Sequence, residues 1–315
     1  MSSPFSPPFS SKFESRASVE DIYSCFRLLL GRNPHPEEWP GHSGLAGGDL
    51  GKIVASYLNS LEFRYRGLQS PPTDYEAVQL DRFVLYISRS DLLIGQPIRQ
   101  ARTYEPPVTT LFCERVRPGN IVLDIGANIG YFSMLAASLG AEVYAIEPLA
   151  QNVRLLNASK IANKYTKVHI IPAAASFEVG CLAIGASYGN GIVSSHIGTV
   201  DSALASDFVA AIAIDRFITD QPVALIKIDV EGHEYLALQG SAATIRRSRP
   251  VIISEFSPPG LEVNSGVSGE HYLDLLRSWN YRIGLVGGAS DLSNADIMTA
   301  GHGTDHVDIV AEARD

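Results

Sequence analysis

Two short stretches of this 315-residue chain concentrate the residue types that could do chemistry. The first runs Val122-Leu-Asp-Ile-Gly-Ala-Asn-Ile-Gly-Tyr131. An apolar strand leads into Gly126 and Gly130, which let the backbone turn tightly and a ligand approach it. A helix follows, and its first amides carry partial positive charge. About twenty residues on, Glu147-Pro148 closes the next apolar run, where an acid can hold a ribose diol. The second stretch is Leu225-Ile-Lys-Ile-Asp-Val-Glu-Gly-His-Glu234. Lys227 stands between two strand isoleucines, and Asp229, Glu231, His233 and Glu234 crowd the C-terminal end, where an open α/β sheet binds ligands. Packing acids beside a Lys costs desolvation unless the groups are paired or hold a ligand. For Glu234 the plainer reading, an acid favouring a helix N-terminus, carries equal weight.

These parts would serve a dinucleotide or S-adenosylmethionine. A dinucleotide loop wants Gly-x-Gly-x-x-Gly, so that a pyrophosphate can sit on bare backbone. Here Gly126-Ala-Asn-Ile-Gly130 is one glycine short, and Asp124 at the strand end would repel a pyrophosphate. The same carboxylate attracts a sulfonium or an amino group. S-adenosylmethionine is therefore the expected cofactor, with Asp124, Gly126, Asn128, Gly130, Tyr131, Glu147, Pro148, Ala174 and Asp229 as its candidate contacts.

The elements that must position these residues alternate. Strands are expected at Ile121–Ile125, Glu142–Ile146, 168–171, Ala224–Ile228 and Val251–Glu255, with helices at Tyr131–Leu139, Leu149–Ala162, Glu234–Ile245 and Glu270–Trp279. Such alternation, with strands apolar on both faces, indicates a parallel sheet covered by helices on each side. The stretch 173–215, rich in Ser and Gly, reads as a less regular strand pair with a mobile loop. Upstream, residues 1–17 read as a disordered tail and 18–68 as a helical module. Ser18 and Asp21 mark its first N-terminus, Gly31-Arg-Asn-Pro34 ends that helix, and Leu50–Tyr65 forms another. Residues 69–103 read as a linker with short strands at Phe83–Ser88 and Asp91–Gly95, before the main domain at 104–315.

Composition narrows the partners. The net charge is −9, from 34 acidic and 25 basic side chains, which disfavours nucleic acid. Arg246, Arg247 and Arg249 form the densest basic cluster and read as a favourable helix C-terminus. No apolar run reaches the ~20 residues of a membrane span, and the N-terminal residues lack a secretory pattern. Three scattered cysteines give neither a metal-ligand spacing nor a disulfide framework, so a reducing cytoplasm is expected. A homodimer is compatible with the sequence but not specified by it.

In order, Asp124-Ile-Gly-Ala-Asn-Ile-Gly-Tyr-Phe-Ser133, Ile146-Glu-Pro148, Asp215-Arg-Phe217, Lys227-Ile-Asp-Val-Glu-Gly-His-Glu234 and Arg249-Pro…Glu255 closely resemble the FkbM family of S-adenosylmethionine-dependent O-methyltransferases. The resemblance covers about Tyr104 to Phe256 and implies a Rossmann-like seven-stranded methyltransferase sheet, mostly parallel with its last strand antiparallel. It also implies methyl transfer to a hydroxyl on a sugar or a polyketide-like product. Ile214-Asp215 stands where the family usually has Leu-Asp. His306-Val-Asp-Ile-Val310 fits the last strand. The N-terminal pattern Tyr23…Leu30-Gly-Arg-Asn-Pro34…Leu58-Asn-Ser-Leu-Glu-Phe63 resembles a helical module, often called DUF4214-like, found beside bacterial surface-polysaccharide enzymes.

A sugar hydroxyl is weakly acidic, so a base or a metal must help remove its proton. His233 is the candidate base, Asp229 the candidate holder of the acceptor, and Lys227 completes the catalytic set. Tyr104, Glu105, Glu231 and Glu255 are the candidate acceptor contacts. Metal dependence is not expected, although Asp229 with Glu231, Glu255 or Asp215 would offer a hard cation its oxygens. His196, His271, His302 and His306 show no ligand spacing. Trp39, Trp279 and the loop Tyr188-Gly-Asn-Gly191 offer rings on which a sugar could stack, though helical spacing makes Trp279 a core residue. Two rival functions remain, a non-catalytic adaptor built on the cofactor fold and a dehydrogenase.

Overall fold

The computed structural model describes residues 14–60, 62–63, 75–185, 192–194, 205–301 and 306–314. By its internal contacts the chain divides into two units, Met1–Thr73 and Asp74–Asp315.

In the first unit Ser18 caps the helix Val19–Ser24. Its hydroxyl accepts the Asp21 N–H at 3.1 Å while the Asp21 carboxylate accepts the Ser18 N–H at 2.8 Å. The chain continues as a wider helical turn over Cys25–Leu30 and stops at Gly31, which takes the left-handed conformation that ends helices. Helices Trp39–Ser43 and Leu50–Leu58 pack around Ile22, Phe26, Ile53 and Tyr57. The last helix is shorter than its pattern predicts, because its C-cap falls at Asn59. Trp39 meets Tyr23 and Phe26 edge-on and packs, partly buried, against this core.

The second unit opens with an antiparallel hairpin of β1 (Tyr75–Gln79) and β2 (Val84–Ser88). The strand expected at Asp91–Gly95 is absent. The Asp91 carboxylate instead accepts the N–H groups of Leu93, Ile94 and Gly95 at 2.9–3.0 Å and starts the helix Gly95–Ala101. Satisfying three otherwise orphaned amides outweighs the apolar pair Leu92-Leu93, which is left exposed.

From there strands and helices alternate. β3 is Ile121–Ile125, β4 Glu142–Ile146 and β5 Val168–Ile171. β6 (Ala174–Ala175), β7 (Gly180–Gly185), β8 (Ile192–Ser194) and β9 (Ala205–Ile212) follow. The C-terminal third adds β10 (Val223–Ile228), β11 (Val251–Phe256), β12 (Tyr281–Leu285) and β13 (Val307–Ala313). Among the described residues the main sheet has seven strands in the order β12-β13-β11-β10-β3-β4-β5. All neighbours are parallel except β13, which runs antiparallel to β11 and β12. A smaller sheet, β6-β9-β7-β8, occupies the region read as an irregular strand pair. The Tyr188–Gly191 loop and His196 lie outside the described residues, as does His302.

Alternation along each strand divides the core in two. Leu123, Ile125, Ile226, Ile228 and Ile252 face one side, under helices that include Gly269–Ser278. Val122, Leu225 and Ile253 face the other, under Pro106–Arg115 and Tyr131–Ser138. Trp279 is 7% exposed in the first of these cores, with the Arg246 guanidinium 5.7 Å from its ring centre. Arg249 donates to the carbonyls of Trp279, Asn280 and Arg314, so it ties the C-terminus of the Ala242–Ser248 helix to the start of β12 and the end of β13.

The single helix expected over Glu234–Ile245 is two, Glu234–Gln239 and Ala242–Ser248. Gly240 packs so closely on the residue after β6 that a Cβ there would lie 1.9 Å from the Ser176 carbonyl oxygen. Asp215 then caps the second helix, accepting the Ala243 and Thr244 N–H groups at 2.8 Å each.

Candidate active site

The C-terminal ends of β3, β4 and β10 open onto one cleft of about 820 Å³, counting the part open to solvent. The turn after β3 forms its floor. Gly126 has φ 82° and Gly130 φ 93°, and Asn128 adopts φ 50° between them. The glycines are required by the protein's own packing as much as by a ligand. A Cβ on Gly126 would lie 1.8 Å from the Asp229 carbonyl oxygen, and one on Gly130 would lie 2.7 Å from Leu156 Cγ.

Glu147 closes the far wall. Its carboxylate accepts the Asn128 N–H at 2.8 Å, the Leu149 N–H at 2.9 Å and the Asn152 side-chain amide at 3.2 Å. Burial pushes its pKa up to about 7 against the lowering effect of those bonds. Pro148, Asn128, Tyr131 and Ala174 also line the cleft. Asp124 does not; it sits 1% exposed behind the turn, where Oδ2 accepts the Ser133 hydroxyl at 2.6 Å. Oδ1 is buried with no hydrogen-bond partner among the described residues, and burial raises the pKa of the group.

Lys227 and Asp229 occupy the end of β10. The Lys227 Nζ is 2.8 Å from Asp229 Oδ2 and 4.8 Å from the centre of the Phe132 ring. Burial opposes the ammonium charge, but Asp229, Glu105 and Asp124 together outweigh it and raise its pKa. Burial would likewise raise Asp229, yet the Lys227 charge and hydrogen bond hold it below the ordinary carboxylate range.

Beyond this pair three carboxylates converge. Ligand oxygens of Asp229, Glu231 and Glu255 lie within 4.8 Å of one another, so this trio, among the described residues, could hold a hard cation. Asp215 is not with them, being committed to its helix cap. Burial and the charges of Asp229, Glu234 and Glu231 push Glu255 up to about 10. His306 Nδ1 lies 3.1 Å from Glu255, a contact that its sequence spacing did not announce. Glu105 takes the strained conformation φ 39° at the start of the Pro106–Arg115 helix. Its Oε2 is buried without a hydrogen-bond partner among the described residues, and burial pushes its pKa up to about 7. Tyr104 beside it lines the cleft, edge-on to Tyr131 at 5.7 Å.

The turn carrying the acids is clamped from behind. Glu231 has φ 55° and Gly232 φ 92°. Asn264 Nδ2 donates to the Glu231 carbonyl and the Ser265 hydroxyl to the Gly232 carbonyl, both at 2.6 Å. Glu234 faces back into this turn, its Oε1 accepting the Val230 and Gly232 N–H groups at 3.0 Å. It is a structural acid, as the plainer reading had it. His233 lines the cleft but is 1% exposed, with Nε2 at 3.2 Å from the Ser176 hydroxyl, and burial lowers its pKa to about 4.

A glycine turn after the first strand, an acid after the second and a ligand edge on the fourth, in this strand order, define the Rossmann-like methyltransferase class. The family model for the methyltransferase FkbM domain matches residues 124–283, and the chain belongs to that family. No curated protein matches the sequence. Among solved structures, a methyltransferase FkbM from Methylobacillus flagellatus aligns at 16% identity and TM-score 0.41, over 91% of this chain and 58% of that one. This chain thus spans little more than half the length of that structure. A precorrin-6y C5,15-methyltransferase from Geobacter metallireducens aligns at 12% identity and TM-score 0.41, covering 73% of this chain and 94% of its own. TYW2 from M. jannaschii, in complex with AdoMet, aligns at 12% identity and TM-score 0.40, with 76% and 85% covered.

Proposed function

We propose that the protein is an S-adenosylmethionine-dependent O-methyltransferase whose acceptor is a hydroxyl of a sugar or glycan. The observation that carries this reading is the meeting, in one cleft, of the Gly126–Asn128 turn with Lys227, Asp229 and Glu231. The cofactor supplies a methyl group on a sulfonium, so transfer forms a carbon–oxygen bond, leaves the electron pair on sulfur and requires a proton to leave the acceptor. The residues at the turn fit the adenosine side, with Glu147 toward the ribose, while Asp124 supports the turn from behind through its bond to Ser133. Positioning accounts for much of the rate in such a displacement.

Asp229 is the group that orients the acceptor hydroxyl, because Lys227 keeps it ionised and it remains 27% exposed. Glu231 adds hydrogen-bond acceptors for a neighbouring hydroxyl, and Glu255, protonated at neutral pH, adds a donor beside them. His233 stays neutral at pH 7, but the burial that lowers its pKa to about 4 disfavours its protonated form and makes it the weaker candidate. A divalent ion on the acid trio is the alternative route to the same proton. The helical first unit, by its resemblance to modules beside surface-polysaccharide enzymes, tilts the acceptor toward a polysaccharide or its precursor.

Calorimetric titration with S-adenosylhomocysteine and with NAD, alongside Asp124→Ala and Glu147→Ala, tests the cofactor. Micromolar binding of the first ligand alone, weakened in both variants, supports the reading. Absence of that binding moves the adaptor reading to the front. Transfer of labelled methyl to a panel of methyl glycosides then tests the acceptor class.

A further inference from the structure

The first unit carries a pocket of its own, about 460 Å³ counting the part open to solvent, which shares no lining residue with the cleft. Its wall is built around Arg32, which stands between Glu38 and Glu62. A guanidinium has five N–H donors, and here all five are committed. Nε donates to Glu62, and Nη1 to Glu38 and, at 3.2 Å, to the Asn33 carbonyl. Nη2 donates to Glu38 at 3.1 Å and to Glu62 at 3.0 Å. Arg32 therefore has nothing left for an anion. Two carboxylates meet one cation, so the wall keeps a surplus of negative charge, and the bond to Arg32 holds Glu38 down at a pKa of about 2.

The serines add acceptors. The Ser56 hydroxyl donates to the Ile53 carbonyl and the Ser60 hydroxyl to the Tyr57 carbonyl, each at 2.7 Å, so toward a ligand both can only accept. His42 is the exception. Its Nδ1 lies 2.6 Å from the Tyr57 hydroxyl, shorter than the usual N–H···O bond, so the hydroxyl is the donor. Burial raises the Tyr57 pKa to about 12, and that hydroxyl keeps its proton. The imidazole proton then sits on Nε2, which makes no other hydrogen bond among the described residues. Phe26 meets both rings edge-on, at 4.8 Å from His42 and 5.5 Å from Tyr57, and fixes them. Leu30 and the exposed Leu45 complete the lining.

Several acceptors, one donor, an apolar edge and surplus negative charge define the ligand. A phosphate or carboxylate is repelled. An ammonium would suit the acids but leave the His42 donor and the leucines unmatched. A sugar ring matches every part, with hydroxyl protons for the acceptors, a hydroxyl oxygen for His42 and a C–H face for the leucines. We propose that the first unit binds one residue of an uncharged glycan in this pocket. It is a binding site and not a second catalytic one, and it stands whether or not the cleft transfers methyl groups.

The test is calorimetry on the full chain with the methyl glycosides of glucose, galactose, mannose and rhamnose, beside methyl glucuronide and methylamine. At least one neutral glycoside is expected to bind with a Kd of about 1–10 mM, and both charged probes about tenfold more weakly or worse. Ser56→Leu, at an exposed helix position, fills the pocket, and His42→Phe keeps the ring packing while removing the donor. Each should weaken sugar binding about tenfold, while Asp229→Asn in the cleft leaves it unchanged. Sugar binding kept in both pocket variants overturns the inference, and its loss in Asp229→Asn then assigns the sugar to the cleft. Failure of all four glycosides to bind overturns it too, as does binding of either charged probe as tightly as the best glycoside. Should a variant fold poorly, NMR of the wild type decides, because the ring signals of His42 and Tyr57 must shift with added glycoside. Unmoved signals sink the proposal.

Discussion

A methyl group added to Gly126 would sit 1.8 Å from the carbonyl oxygen of Asp229. The two halves of the cleft, the turn after β3 and the end of β10, are therefore in backbone contact. They cannot be adjusted independently.

Gly126→Ala should accordingly harm both stability and ligand binding. The new Cβ meets backbone, and the residue must hold φ 82°, which L side chains avoid. A loss of about 3 kcal/mol in chemical denaturation is expected. S-adenosylhomocysteine affinity should drop at least tenfold. Wild-type affinity in this variant would show that the contact is not needed to shape the site.

Glu234 offers a test by pH. Burial raises it from 4.5 to about 7. Between those values the unfolded chain has lost the proton that the folded chain keeps, so this group's stabilisation is full below about pH 4.5 and is lost as pH rises through 7. Glu234→Gln keeps an oxygen for the Val230 and Gly232 amides and removes the titration. Melting temperatures measured from pH 5 to 8 should fall less steeply in the variant. Parallel curves would mean that Glu234 ionises normally in the folded protein.

His233 is depressed to about 4 by burial. Its imidazole should stay neutral from pH 8 down to about 5 when followed by NMR. The sign is opposite to that of Glu234: below pH 6.5 the unfolded chain takes up a proton that the folded chain refuses, and stability declines toward pH 4. A His233 titration near 6.5 would contradict the burial described here and strengthen its case as the base.

Asp215→Ala separates a structural acid from a ligand-binding one. Removing the cap of the Ala242–Ser248 helix should cost about 1–2 kcal/mol in urea denaturation. Affinities for S-adenosylhomocysteine and for Mg²⁺ should match the wild type. A selective loss of Mg²⁺ binding would return Asp215 to the acid trio.

The alternating core of this fold was legible because its signals are local. Ile121–Ile125, the glycine turn and Glu147 lie in one continuous stretch whose pattern needs no distant partner. The Lys227–Glu234 motif announced its charge density for the same reason. The errors arose where a distant or polar contact overrode a local pattern. Asp91 turned an apolar pair into a helix start, and Asp215 with Gly240 split a helix that periodicity alone would leave whole. The meeting of Glu255 with Asp229 and Glu231, and of His306 with Glu255, depends on β11 and β13 lying beside β10 in the sheet order. No spacing in the chain encodes that proximity. Nor does sequence spacing distinguish Glu234, folded back on its own turn, from Glu231 three residues earlier.

The clamp behind the acid turn constrains how this protein could change. Gly232 lies so close to Gly260 that a Cβ would come within 2.3 Å of its carbonyl oxygen, and Asn264 and Ser265 fasten the same turn. A segment held this way is scaffold rather than hinge, and lengthening it would break three contacts at once. A different ligand would have to be accommodated by replacing the side chains it presents, at 229 and 231, while the backbone path between them stays fixed.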